Sequence, residues 1–308
     1  MPNLSVVVEE QTLQNIRLDR YVSEVLRVLS RSQIKARNLK SKINKKDVKL
    51  SHHVKQGDIL ELSWDKKEPD FIIPQDIPLE IIYEDENCVV INKAQGMVVH
   101  PGAGNRQGTL VNALCFRRSN SGSNFTGIRP GIVHRLDRET SGIIIAAYND
   151  ETHAFLARQF FTRKTKKTYI ALICGIPKEK TGRIETFIAR DPKNRKRFTV
   201  SPSGKTAVTL YKVIKTWKNY SLIFLRPKTG RTHQLRVHMR CLGHPILGDS
   251  VYGCDDKKFK DASLMLHSKK LEITLPGEAM ARVFSSNVPE RFMEIIKKLD
   301  REISANGK

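Results

Sequence analysis

The chain has 308 residues, with 54 Lys+Arg against 32 Asp+Glu and a formal charge of +22. That length holds one sizeable domain plus a small one, and the charge points to a polyanionic partner. No apolar run nears the roughly 20 residues of a spanning helix, and the N-terminus lacks the charged-then-apolar layout of a signal peptide, so the expectation is a cytoplasmic protein without a membrane role. The five cysteines, Cys88, Cys115, Cys174, Cys241 and Cys254, are widely spaced with no Cys-x-x-Cys pair. Neither a disulfide framework nor a zinc site follows from them.

The first unit is expected over residues 11–64. Leu18, Tyr21, Val22, Val25, Leu26 and Leu29 follow helical spacing, and Ser30-Arg31-Ser32 supplies the N-cap of a second, basic helix carrying Ile34 and Leu39. Val48-Lys49-Leu50, Val54 and Ile59-Leu60-Glu61-Leu62 read as short strands around the turn Gln56-Gly57-Asp58. Nine Lys/Arg and one acidic residue, Asp47, lie between Arg31 and Lys55. So one-sided a run on a small α/β unit makes a phosphate-binding face, with Arg31, Lys35, Arg37, Lys40 and Lys42 as its candidate contacts. Residues 65–78 carry Pro69, Pro74 and Pro78 among charges and read as an extended linker. From residue 79 to 300, β-branched runs alternate with amphipathic segments at 152–161 and 289–299, the pattern of an α+β domain. Residues 301–308 are expected to fray.

Within that domain, His134-Arg135-Leu136-Asp137-Arg138-Glu139-Thr140-Ser141-Gly142 sets one carboxylate between two arginines. Gly131-Ile132-Val133 before it looks strand-like, and Gly142-Ile143-Ile144-Ile145-Ala146-Ala147-Tyr148 after it reads as a buried strand. Asp137 would sit on a loop held by rigid strands, and guanidinium neighbours favour an ionised carboxylate. For an isolated Asp, a turn-capping role would be the commoner explanation.

The nine-residue stretch resembles the signature of the RluA/RluD-type pseudouridine synthases. Ile91-Asn92-Lys93-Ala94-Gln95-Gly96-Met97-Val98-Val99-His100-Pro101-Gly102 resembles that family's approach strand and glycine turn, and Gly108-Thr109-Leu110-Val111-Asn112-Ala113-Leu114 the helix that follows. Gly230-Arg231-Thr232-His233-Gln234-Leu235-Arg236-Val237-His238 and His244-Pro245-Ile246-Leu247-Gly248-Asp249-Ser250-Val251-Tyr252-Gly253 complete the ordered pattern. The first unit, through Arg17-Leu18-Asp19-Arg20-Tyr21 and Ser30-Arg31-Ser32-Gln33-Ile34, is similar to a small RNA-binding domain shared with a small-subunit ribosomal protein. The hairpin that closes that domain departs from its usual pattern here.

The resemblance implies a mixed, mainly antiparallel-sheet catalytic domain behind a small α/β RNA-binding domain. It also implies a monomer that isomerises uridine to pseudouridine in RNA, most plainly in a stem-loop of large-subunit ribosomal RNA. The reaction detaches uracil, turns it and rejoins it through carbon five, so no atom is gained or lost and no cofactor or metal is expected. In the family's terms Asp137 starts the reaction on a flipped-out base. Tyr169, after Lys166-Lys167-Thr168, packs on that base and helps to move the carbon-five proton. Arg231 would pair with Asp137, Arg135 would fill the vacated place in the RNA stack, His134 would lie at the substrate, and Leu266 would floor the uracil pocket. His233, His238 and His244 lack metal-ligand spacing, and Ser203-Gly204-Lys205-Thr206 lacks the leading glycine of a phosphate-binding loop. A glycoside hydrolase would need a second placed carboxylate. A non-catalytic RNA-binding or ribosome-assembly factor on the same fold is the rival reading, and the joint presence of Asp137, Tyr169 and Arg231 argues against it.

Overall fold

A computed structural model of the chain describes residues 2–9, 16–65, 72–102, 104–119, 131–253 and 256–306. Residues 11–15 of the expected first unit, Pro69 of the expected linker, Cys254, and residues 307–308 of the expected tail lie outside them. The chain divides into two compact units, residues 1–71 and 72–308.

The first unit begins earlier than its helical periodicity suggests. Strand β1 (Asn3–Val7) pairs antiparallel with β6 (Ile59–Ser63), which in turn pairs with β3 (Lys40–Ile43) and so with β4 (Lys46–Asp47). A separate two-stranded pair joins β2 (Ile16–Arg17) to β5 (His53–Val54). Helix α1 (Leu18–Arg20) runs directly into a π-helical turn, Tyr21–Val25. Helix α2 (Arg31–Ala36) starts at a capping box in which Ser30 accepts from the Gln33 amide and Gln33 accepts in return from the Ser30 amide. The expected strand at Val48-Lys49-Leu50 does not form. The chain turns earlier, at Asn44 and Lys45, both at positive φ, between β3, which carries Lys40 and Lys42, and β4. Asn44 fixes that turn by accepting from the Ile59 amide and donating to Asp58. Leu18, Tyr21, Val22, Ile34, Leu60 and Leu62 form this unit's own buried core.

The second unit is built on a ten-stranded sheet in the order β12-β11-β13-β14-β10-β15-β9-β8-β7, with β16 also on β15. Its strands are β7 (Glu80–Glu84), β8 (Cys88–Lys93), β9 (Ser141–Ala147), β10 (Lys166–Cys174), β11 (Thr181–Arg190), β12 (Phe198–Val200), β13 (Lys205–Trp217), β14 (Tyr220–Pro227), β15 (Leu266–Ile273) and β16 (Arg282–Ser285). All pairings are antiparallel except β15 with β9, where His267 and Ser268 face Ser141 and Gly142. Gly142 has φ +110°, and a Cβ there would stand 2.3 Å from the Ser268 carbonyl oxygen, so this junction admits only glycine. Every residue of β9 is buried. Ile144 and Ala146 enter one core, while Ile143, Ile145 and Ala147 enter another on the opposite face, the period-two signature of a strand covered on both sides.

Among the described residues four helices complete the unit: α3 (Leu110–Ser119), α4 (Asp150–Phe161), α5 (Gln234–Cys241) and α6 (Glu290–Asn306). The last extends as helix through residues 301–306 of the expected tail. Residues 72–78 do not behave as linker either. The Asn112 side chain donates to the Ile73 carbonyl, and Gln75 bonds both the Asn112 carbonyl and the Gly108 amide, which fixes this stretch to α3. Gly131-Ile132-Val133 forms only an isolated bridge, Ile132 to Ala146, because Gly131 at φ +68° turns the chain away after bonding Ala147.

Candidate active site

Residues 131–140 form a loop whose shape is dictated by backbone bonds to buried side chains. Leu136 is buried on one side of Asp137. On the other, the Arg138 carbonyl accepts from the Gly96 amide and from Lys93 Nζ, which also donates to the carbonyls of Ala94 and Met97. Gln95 donates to the Glu139 and Leu264 carbonyls. Lys93 is 1% exposed, and burial pushes its pKa down to about 8. A buried ammonium that spends its protons on three carbonyls is a fixed tie. It binds the Ala94-to-Met97 turn to the residue next to Asp137.

Asp137 lies in a cleft of about 1140 Å³ whose walls include His134, Arg135, Tyr169, Arg231, Arg236 and Leu266. The cleft therefore brings together every residue proposed for the catalytic unit from sequence, together with Arg236. Their roles differ. The nitrogens nearest Asp137 Oδ2 are Arg236 Nη1 at 3.7 Å and His233 Nε2 at 3.9 Å. Arg231 is turned away, its Nε donating to the Thr206 carbonyl at 3.0 Å. The expected Arg231 pairing is corrected to Arg236, and the reason is local. Helix α5 begins only at Gln234, after His233 at φ +56°, and this reversal points Arg236 of the first turn inward while Arg231 stays on the approach.

Arg236 is itself held by a bidentate bond to Asp249, at 2.8 and 2.7 Å, with side chains 5% and 0% exposed. Burial opposes the charge on Asp249, but Arg236 and the amides of Tyr252 and Val251 outweigh it and leave the carboxyl below its usual range. Burial likewise works against the Arg236 guanidinium, and Asp249 more than restores it.

Tyr169 is buried at a bulge in β10, opposite Ser268 of β15. Burial, with a smaller contribution from the Asp137 charge, pushes its hydroxyl up to about 12 against an opposing bond from Ser268. The phenol therefore keeps its proton at neutral pH. Any part it takes in proton transfer requires it to hand that proton on as it receives another. Leu266, 2% exposed, opens β15 beside Ala171. His134 accepts the Ile145 amide on Nε2 and stacks on Phe160, with ring centroids 4.4 Å apart. Burial, assisted by Lys167, drives its pKa down to about 3. Its accepting nitrogen thus serves the loop and not a substrate. Arg135 is exposed at the lip.

Two features outside the cleft lining escape a reading by motif. Asp249 and Tyr252 lie in a quoted motif, yet nothing in spacing says that they converge on α5. The hairpin between β11 and β12 carries Arg190, Lys193, Arg195, Lys196 and Arg197 against Asp191, a charge cluster visible in the sequence itself. Phe198 at its end bonds the Tyr252 hydroxyl. Of the first-unit candidates, Lys35, Lys40 and Lys42 are exposed, Arg37 is half-buried, and Arg31 reaches Asp19 at 3.4 Å. Among the described residues no group of His, Cys, Asp or Glu could hold a metal ion.

The sheet, the loop-borne carboxylate and the basic surroundings describe an RNA-modifying enzyme. The family described as RNA pseudouridylate synthase matches residues 87–240, and the chain belongs to it, in the RluA-type branch of these isomerases acting on RNA. It is 47% identical over 287 residues to the ribosomal large subunit pseudouridine synthase D of Borreliella burgdorferi, covering 90% of this chain and 88% of that one. A protein of the same name from Zymomonas mobilis is 38% identical over 314 residues, covering 97% and 98%. The solved structure of human RNA pseudouridylate synthase domain containing 1 aligns with a TM-score of 0.57 at 28% identity, over 69% of this chain and 84% of its own.

Proposed function

We propose that the protein converts specific uridines in a stem-loop of large-subunit ribosomal RNA to pseudouridine, with Asp137 initiating the rearrangement on a base flipped out of its stack. The observation that carries this reading is Asp137 itself, a carboxylate on a backbone-tied loop in a cleft shared with Tyr169, Arg236 and Leu266. The bond from the anomeric carbon to ring nitrogen one breaks and a bond to carbon five forms. The proton lost from carbon five is balanced by the one that nitrogen one gains. Asp137 acts at the ribose, by attack on the anomeric carbon or by taking a ribose proton, while Arg236 holds the carboxylate in line. Tyr169 packs on the uracil, Leu266 floors it, and Arg135 fills the gap left in the RNA.

Support for the ribosomal substrate comes from relatives named for the large subunit at 47% and 38% identity. The exposed cations of the first unit and of the 190–197 hairpin supply phosphate contacts. No helix among the described residues is long and apolar enough to cross a membrane. In this proposal the protein acts on RNA in the cytoplasm as a monomer. Mapping pseudouridine in large-subunit ribosomal RNA from cells with and without the protein tests the reading. The expected result is loss of discrete sites that the purified protein restores. An unchanged map in large-subunit RNA, with sites lost from another RNA, would overturn the substrate.

A further inference from the structure

Tyr252 is 2% exposed, and its hydroxyl joins two parts of the catalytic unit. The oxygen accepts the Phe198 amide at 2.7 Å and lies 2.8 Å from His233 Nδ1. A hydroxyl that accepts from an amide still has one proton to give, and His233 Nδ1 is the acceptor within its reach. Donation to Nδ1 leaves the imidazole proton on Nε2. Nε2 is the atom that stands 3.9 Å from Asp137 Oδ2.

Three further observations bear on His233. Its ring meets those of Phe198 and Tyr252 edge-on, at 72° and 83° with centroids 5.5 Å apart, so its plane is fixed from two sides. Burial holds its pKa below the ordinary value against the pull of Asp137, which keeps the ring neutral. Its backbone sits at φ +56°, in the left-handed region that a non-glycine residue enters at a cost, and such strain gathers at functional sites.

We propose that His233 is a neutral hydrogen-bond donor to the Asp137 carboxylate during the reaction, and that Tyr252 is the positioning residue that fixes its tautomer while anchoring the basic hairpin. The inference rests on the reading that Asp137 starts the isomerisation. His233 and Arg236 approach the same oxygen, Oδ2, at 3.9 and 3.7 Å, and such approaches commonly tighten only when substrate closes the site. RNA phosphates bound along the 190–197 hairpin would hold Phe198 in place. The same hydroxyl that accepts from Phe198 then keeps His233 aimed at the carboxylate, so substrate docking and donor alignment share one group.

The test uses the full chain. With ¹⁵N-labelled histidine, and His233→Gln to assign the signals, NMR should show a protonated Nε2 and an unprotonated Nδ1 at His233, with Tyr252→Phe spreading the population over both tautomers. A wild-type His233 protonated on Nδ1 would overturn the proposal. In single-turnover assays on large-subunit ribosomal RNA, His233→Leu should slow isomerisation roughly 10²-fold, the scale of one lost preorganised donor, with RNA affinity unchanged. His233→Gln, which retains an N–H near the Nε2 position, should recover most of that loss. Tyr252→Phe should slow the step roughly fivefold to tenfold, the scale of one hydrogen bond. A wild-type rate in His233→Leu would also overturn it. Because the tautomer is read without turnover, failure of the substrate reading appears separately, as wild-type protein that makes no pseudouridine in this RNA.

Discussion

The surface charges of the first unit and the buried charges beside Asp137 in the second work in opposite ways. In the first, Arg31 and Asp19 pair at 3.4 Å with side chains 60% and 17% exposed, and Lys35, Lys40 and Lys42 face solvent. Pairs of that kind contribute about 0–1 kcal/mol and are screened by salt. In the second, Arg236 and Asp249 pair at 2.7 Å with almost no exposure, where removing one partner leaves a charge stranded in low dielectric. The first arrangement suits a surface that follows a flexible polyanion, since no single cation matters. The second suits a reacting group, since each member fixes the next. RNA affinity should therefore be distributed and salt-dependent, whereas turnover should hang on single side chains.

Substitutions can break that contrast, beginning with the largest effect. Tyr169→Phe keeps the ring proposed to pack on the base and removes the hydroxyl, so RNA binding should persist while turnover falls by about 10²- to 10⁴-fold, the usual contribution of a positioned proton-transfer group. Single-turnover assays check this, and full activity would leave Tyr169 with stacking alone. Arg236→Leu strands Asp249 and should lower unfolding free energy by about 3–5 kcal/mol as well as impair catalysis. Urea denaturation measures the first effect, and a stability equal to wild type would mean that the pair is far better solvated than its burial indicates. Deleting residues 1–71 should weaken RNA binding and flatten the slope of log affinity against log salt, by about 0.7–0.9 for each phosphate that the shortened protein no longer neutralises. Chemistry at saturating RNA should survive. An unchanged slope would remove the first unit from the RNA interface. Smallest of all, Lys35→Ala alone should change affinity by less than about threefold, the scale of one screened surface charge, as titration at physiological salt would show.

The contrast also explains what is legible in the sequence. Asp137, Tyr169 and Leu266 are visible there because short ordered motifs carry them, and the buried run of β9 is legible because three consecutive isoleucines followed by two alanines admit little else. The arginine facing Asp137 is not. Arg231 and Arg236 occur five apart in one motif, and only the left-handed turn at His233 decides which of them faces inward. Val48-Lys49-Leu50 imitates a strand because its alternation resembles one, whereas two positive-φ residues, Asn44 and Lys45, have already reversed the chain. Lys93 illustrates a further limit. A lysine at the end of a strand reads as a solvated charge until three carbonyls are seen to converge on it. Asp249 and Tyr252 act through residues far away in sequence, which no local pattern encodes.

The central claim is that one carboxylate does the chemistry while the rest of the protein binds and aims. Asp137→Asn preserves the shape of that side chain and removes its charge, so the direct measurement is its single-turnover formation of pseudouridine at saturating large-subunit ribosomal RNA, alongside its RNA affinity. The account predicts no detectable pseudouridine with affinity and folding close to wild type. Pseudouridine formed at a rate near that of the wild type would contradict it.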